Sequence, residues 1–405
     1  MKPIKAAHRR RAQAGERNEY YENISARLGI AQVILYLSLF AFIVVAFLSN
    51  TEMVTYQNFY YFFQDLNASA ERVDIFEGDS LSYATDEEQD FVLYRGGLAV
   101  AGNTSVTVFS ATGRQLLSMA VQYRHPTAVG AGKYLLVYEM GGKQYSLYNS
   151  TAKLFEGSTE YPISGAAVSD SGMYALITSA ERSTSSVSLY NNRFQLINRY
   201  NKSGYVTDVA IDAQGKHVAL LTAKTRDGAV VTSLTLAVPG EGEERANVEL
   251  GASTGLSCEF TDSGLVSVLL RDRVVFADRD GSIKSQYAFD GKQPARASLG
   301  RDGAALVLKK NLVSAKNIVI VFDKNGKIVY NEAVSKEIEQ IDRAGNAVYA
   351  MTEEGILRID LGNGEKELYA CQTADRTLLA LGEEEALCCS PQKAVFLSFQ
   401  NENHR

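Results

Sequence analysis

A short phrase returns along the chain about every 40 residues: an apolar run, a tight Gly turn and a second apolar run. It reads Val168-Ser-Asp-Ser-Gly172-Met-Tyr-Ala-Leu-Ile177, then Ile211-Asp-Ala-Gln-Gly215-Lys-His-Val-Ala-Leu-Leu221, then Phe260-Thr-Asp-Ser-Gly264-Leu-Val-Ser-Val-Leu269. Self-similarity at this period, with strand-type patterning, is the signature of a β-propeller. A repeat fold also lets most of 405 residues form one large domain rather than two ordinary ones. The predicted fold class is therefore all-β.

Apolar alternation bounded by Gly, Asn and Asp turns divides the chain into units. The first takes strands at 91–94, 98–101, 106–109 and 116–119. The second starts after Pro126, and the third starts after Pro162 and ends near Tyr200. Units four to seven run over 206–250, 256–289, 296–334 and 338–369. The eighth offers three strands, 378–381, 386–389 and 394–398, while Val73-Asp-Ile-Phe76 precedes the first unit without a partner. Placing 73–76 on the outside of the eighth unit closes the ring and removes the exposed edges of an open array. The expected count is eight four-stranded blades, with seven as the alternative if the weak first or eighth unit merges with a neighbour. Pro126, Pro162 and Pro294 fall between units, where no ladder N–H is needed.

Residues 29–48 read GIAQVILYLSLFAFIVVAFL and carry no charge. That length, about 20 residues, matches a bilayer core. A buried soluble helix is rarely apolar on every side over such a length. A cleaved signal peptide has a shorter apolar region and a small-x-small site. The segment thus reads as an uncleaved signal anchor and a single transmembrane helix. Residues 1–28 carry seven Lys/Arg and three Glu, which leaves 34 bases against 44 acids beyond them, a net of −10. A basic head stays in the cytoplasm. The expected organisation is a cytoplasmic tail (1–28), a span through the lipid bilayer (29–48), a juxtamembrane aromatic segment (49–72) and an extracytoplasmic propeller (73–405) in the cell membrane. The aromatic run at 56–66 reads as an interfacial collar or a helical continuation, with packing against the propeller or a ligand cluster as alternatives.

Few residues of the chain form a motif with recognisable chemistry. The overall net charge of −6 argues against nucleic acid as a partner. His8, His125, His217 and His404 lack metal-ligand spacing, and His217 reads as an edge or packing residue within a strand. Cys258, Cys371, Cys388 and Cys389 form no CxxC and read as core thiols. Adjacent Cys388 and Cys389 point to opposite faces of a strand, which leaves a Cys371 bridge to one of them open. Asp278-Arg-Asp-Gly281 and Asp323-Lys-Asn-Gly326 faintly resemble calcium loops but lack the downstream Glu, so they read as turns. Sequons at Asn67, Asn103, Asn149 and Asn201 matter only in a glycosylating secretory pathway. No nucleophile elbow, P-loop or dinucleotide fingerprint occurs. No catalytic, cofactor-binding or metal residue is assigned, no binding residue is named, and no cofactor is expected.

In outline the units resemble WD40 and quinoprotein-like propellers. The absence of Trp removes the Trp-Asp dipeptide and the quinoprotein docking motif. Three stretches carry a closer resemblance: Tyr56-Gln-Asn-Phe-Tyr-Tyr-Phe-Phe-Gln-Asp-Leu66, Gly97-Leu-Ala-Val100 with Val106-Thr-Val-Phe109, and Tyr134-Leu-Leu-Val-Tyr138 with Gly141-Gly-Lys-Gln-Tyr145. In this order after one span, they resemble an uncharacterised family of Gram-positive bacterial membrane proteins, a domain of unknown function. The resemblance implies a bacterial setting and supplies no catalytic residues. The leading expectation is a membrane-anchored platform that binds an envelope protein or peptide. The alternatives are a ligand or cell-wall glycan sensor and, last, an enzyme with a composite site in the propeller funnel.

Overall fold

The computed structural model describes residues 28, 30–38, 40, 41, 80–242, 244–309, 317–371 and 377–399. The chain divides into two compact units, 1–68 and 69–405. In the first, the described residues are helical and exposed. Among the described residues no helix is long and apolar enough to cross a membrane. The span expected over 29–48 runs on beyond them, and the collar at 56–66 and the strand at 73–76 lie wholly outside them.

The second unit is an eight-bladed propeller of four-stranded antiparallel sheets. Blades 1 to 7 span 89–120, 126–158, 163–202, 205–251, 255–288, 293–334 and 340–370, each with its strands in chain order from the inside outward. Blade 8 takes Thr377–Ala380, Glu385–Cys389 and Lys393–Ser398 from the end of the chain and Ser80–Ser82 from its beginning. The count is eight, not the alternative seven. Ring closure by an N-terminal strand occurs as expected, but Ser80–Ser82 performs it.

The middle strands explain the long apolar runs. Tyr134–Glu139, Gly303–Lys309 and Ala347–Thr352 are buried almost throughout, because both faces of a blade pack on neighbours. Buried apolar side chains fall into eight clusters, and each cluster joins two adjacent blades. The outermost strands alternate instead, as in Gln115–Ala120, since one side meets water.

The recurrent phrase is the turn from the innermost strand to the second. In blades 3, 4 and 5 the Gly172, Gly215 and Gly264 N–H groups donate to Ser169, Asp212 and Thr261 carbonyls. These glycines sit at φ of 85°, 70° and 82°, where a Cβ is strained.

The closing seam is short. Ser80, Leu81 and Ser82 pair with Val395, Ala394 and Lys393. The Tyr83 hydroxyl donates to the Ser390 carbonyl at 2.6 Å, and its ring lies 5.7 Å from Phe91 of blade 1. Leu81 and Tyr83 thus bind both chain ends into the cluster between blades 8 and 1.

Two sequence expectations shift. Pro126 opens Pro126–Ala131, and Pro294 lies inside Gln293–Gly300, so neither sits in a connection. An innermost strand has a ladder partner on one side only, and a register shift follows Pro294, so the missing N–H is tolerated. The four cysteines are thiols, so the Cys371 bridge does not form. Cys388 faces blade 7 and Cys389 faces blade 1, on opposite sides of their strand as expected.

If closure supports the whole ring, Leu81→Asp should lower the melting temperature of the single propeller transition by about 5 °C or more. Ser80→Ala on the exposed side should stay within about 1 °C. Scanning calorimetry decides, and an unchanged transition in Leu81→Asp would show that the seam is dispensable.

Candidate functional site in the central channel

Eight innermost strands ring the propeller axis. Connections between blades and the turns from second to third strand form one face, here the upper face. Turns from first to second and from third to fourth strand form the lower face.

Three innermost strands carry an Asp in a shared role. Asp90 Oδ2 accepts the Ala128 N–H of blade 2 at 2.8 Å while Oδ1 accepts the Phe91 N–H. Asp208 does the same with Cys258 of blade 5 and its own neighbour Val209. Asp342 does so with Ala380 of blade 8 and Arg343, and adds the Ser298 hydroxyl of blade 6. Blades 1, 4 and 7 are thus tied to the next blade across the inner rim. Burial lifts all three carboxyls above their ordinary range, Asp208 to about 6, against the opposing pull of the backbone N–H groups.

On the lower side a cavity of about 420 Å³ opens between blades 2 and 6. Gly130, Ala131, Ala166 and Ala167 line it on one side. Asp208, Glu259, Arg279 and Arg301 line it on the other. Arg301 Nη2 lies 2.6 Å from Asp170 Oδ1, an ion pair between the turns of blades 6 and 3. Asp212 holds His217 Nδ1 at 2.8 Å and lies 3.6 Å from Arg279. Burial raises Glu259 to about 7, and one of its oxygens accepts the Phe260 N–H at 2.9 Å.

On the upper side a wider bowl of about 810 Å³ is lined by Asp86, Glu87, Glu88, Glu337 and Glu339 with Arg296 as the cation. The same face carries exposed Met140 on blade 2, Tyr205 and Val230 on blade 4 and Leu256 on blade 5, and Tyr205 is 71% accessible. The hairpin of Val218–Arg226 and Ala229–Ala237 has the longest strands of any blade and ends on this face in Asp227-Gly228. Both turn residues have positive φ, 52° and 80°, which suits a tight hairpin. The other exposed large apolar side chains of the described propeller, such as Leu196, Ile283 and Tyr369, lie on outermost strands.

His217 precedes the strand Val218–Arg226 rather than lying in it, and it fastens the Asp212 turn. His125 Nδ1 meets Glu88 at 2.8 Å on the exposed upper side. Asp278 and Asp323 each accept backbone N–H groups two and four residues on, the turn chemistry expected of them. His8, His404, Asn67 and the N-terminal arginines lie outside the described residues. Among the described residues no group of His, Cys, Asp or Glu can hold a metal ion. The sequence reading assigned no site residue and so missed Asp90, Asp208, Glu259, Arg301 and Asp342. A lone acid inside an apolar innermost strand, as in Thr207-Asp-Val-Ala-Ile211, was the available signal.

Residues 77–383 match a family described as "Family of unknown function (DUF5711)". No curated protein is significantly similar in sequence. Saccharomyces cerevisiae Sqt1 is similar in structure at a TM-score of 0.57 and 9% identity, over 80% of this chain and 100% of that one. The C-terminal WD40 domain of Sif2 gives 0.57 and 12%, over 79% and 99%. Chaetomium thermophilum Sqt1 bound to the N-terminus of the ribosomal protein L10 gives 0.55 and 12%, over 80% and 100%. Identities this low establish the shared propeller architecture.

Glu259 carries a pH signature. Its folded-state pKa, about 7, stands above the ordinary Glu value of 4.5, so the folded protein binds a proton that the unfolded chain lacks between those values. Its contribution to stability is full below pH 4.5 and is lost as pH rises through 7. Glu259→Gln should therefore raise the melting temperature at pH 8 by about 2–4 °C and reduce the change in stability between pH 7.5 and 5. Thermal melts across that range test it, and a variant with the wild-type pH dependence would remove Glu259 from this role.

Proposed function

The chain belongs to the DUF5711 family, and we propose that it is a membrane-anchored propeller that holds a partner protein or peptide on its upper face, outside the cell. The observation that carries this reading is the placement of exposed apolar side chains. Apart from those on outermost strands, the large ones on the propeller gather on the upper face: Met140, Tyr205, Val230 and Leu256. Exposed apolar groups on one face, which also carries a polar bowl, are what a protein-binding surface offers. Among the described residues the lower face carries such side chains only where outermost strands begin, as at Leu196, Ile283 and Ile328.

Support also comes from the architecture. Chaetomium thermophilum Sqt1, a propeller of this kind, binds the N-terminus of another protein. The uncharged stretch at 29–48, preceded by a basic head, supports the anchor and the orientation. A Gram-positive envelope setting rests on the family resemblance.

Photo-crosslinking residues placed at 205 or 256 in the full chain in native membranes should yield one discrete adduct. The same probe at 325, on a lower-face turn away from the cavity, should yield none. Tyr205→Ala with Leu256→Ala should reduce recovery of that partner at least ten-fold, with a melting temperature within about 1 °C of wild type. Adducts only from position 325, or none from any position, would overturn the assignment of the face. Protease added to intact cells should digest the propeller and spare the N-terminal head, whereas full protection would overturn the orientation.

A further inference from the structure

The lower cavity plays no part in the reading above, and its charges lie in two tiers. Asp208 and Glu259 stand within the innermost strands Tyr205–Ile211 and Gly255–Phe260, and so at depth. Arg279 and Arg301 stand on lower-face turns, at the mouth. The two deep acids differ in commitment. Asp208 gives both oxygens to backbone N–H groups. Glu259 gives one to the Phe260 N–H, and no described cation forms an ion pair with it. Burial pushes its carboxyl to about 7, with Arg301 only a minor opposing influence. A desolvated acid without a direct ion-pair partner is the group that a bound cation relieves.

The mouth has the opposite character. Arg301 pairs with Asp170 and Arg279 with Asp212, and both arginine side chains are about half exposed. A guanidinium carries five donors, so each has donors to spare for a second anion. The small residues Gly130, Ala131, Ala166 and Ala167 leave about 420 Å³ between the tiers, within the range of small-molecule sites.

We infer that this cavity binds a zwitterionic amino acid or short peptide, with its ammonium group on Glu259 and its carboxylate between Arg279 and Arg301. A simple anion would face Glu259, and a simple amine would leave the two arginines unused. A metal ion lacks a ligand set among the described residues.

The test uses the full chain in detergent micelles, with L-alanyl-L-alanine, its N-acetyl form and its C-terminal amide as probes in calorimetric titration. The free dipeptide should bind in the millimolar range or tighter. Each capped form should bind at least ten-fold more weakly. Glu259→Gln should lose dipeptide binding at least ten-fold, and Arg301→Ala should restore parity between the free dipeptide and its amide. Ala213→Leu adds bulk among the lining residues without touching a charge and should also abolish binding, with melting temperature as the control for folding. Equal binding of all three probes, no binding up to 10-fold above the millimolar range, or unchanged binding by Glu259→Gln would overturn the proposal. Crosslinking from position 205 is read separately, so loss of the peptide site and loss of the upper-face partner are distinguishable.

Discussion

No blade of this propeller has a core of its own. Each sheet buries its two faces only against its neighbours, and every apolar cluster is shared by an adjacent pair. A four-stranded sheet alone would leave both faces wet, so a blade gains its burial only in the ring. That constraint makes the seam between blades 8 and 1 decisive. Three paired residues, Leu81 in the shared cluster and the Tyr83 hydroxyl bond do the closing. Once the ring is closed, the remaining geometry follows from sheet twist and from how much small side chains let the innermost strands approach.

The channel shows what a closed ring does with polar groups. Innermost strands have unpaired N–H groups on their axial side, and these need acceptors. Asp90, Asp208 and Asp342 supply them across three of the blade boundaries. Their carboxyls are raised by burial, which marks them as costly to charge and yet bonded on both oxygens. Glu259 shares the environment and the bond to its own next residue, but not the bond across a blade boundary. The difference between these acids therefore lies in partners, since burial raises all four. The same separation holds for the two faces: the lower is cross-linked by turn contacts such as Asp170–Arg301, and the upper displays Tyr205 and Leu256.

Much of this was legible in the residues. The Gly turns at 172, 215 and 264 set the period, and the period set the fold. The three-stranded eighth unit and the spare N-terminal strand pointed to closure across the chain ends. Cys388 and Cys389 were placed on opposite faces by strand alternation alone, and the structure puts them in different clusters. The seam itself was assigned to 73–76, an apolar alternation. Ser80–Ser82 reads as turn-like sequence, and only its register on Val395, Ala394 and Lys393 makes it a strand.

The sequence by itself determined the propeller architecture, the turn chemistry and the absence of a recognisable cofactor motif, because these depend on local period and on residue type, while the structure decided for eight blades over seven. Tertiary structure alone decided which acids meet in the channel and which apolar side chains stay exposed. Asp208 and Cys258 are 50 residues apart and Asp170 and Arg301 lie on different blades, yet each pair touches. The physical reason is that a propeller brings one strand from every blade to a single axis. Distance along the chain then says nothing of distance in space, and the same Asp is a turn residue in one place and a tie between blades in another.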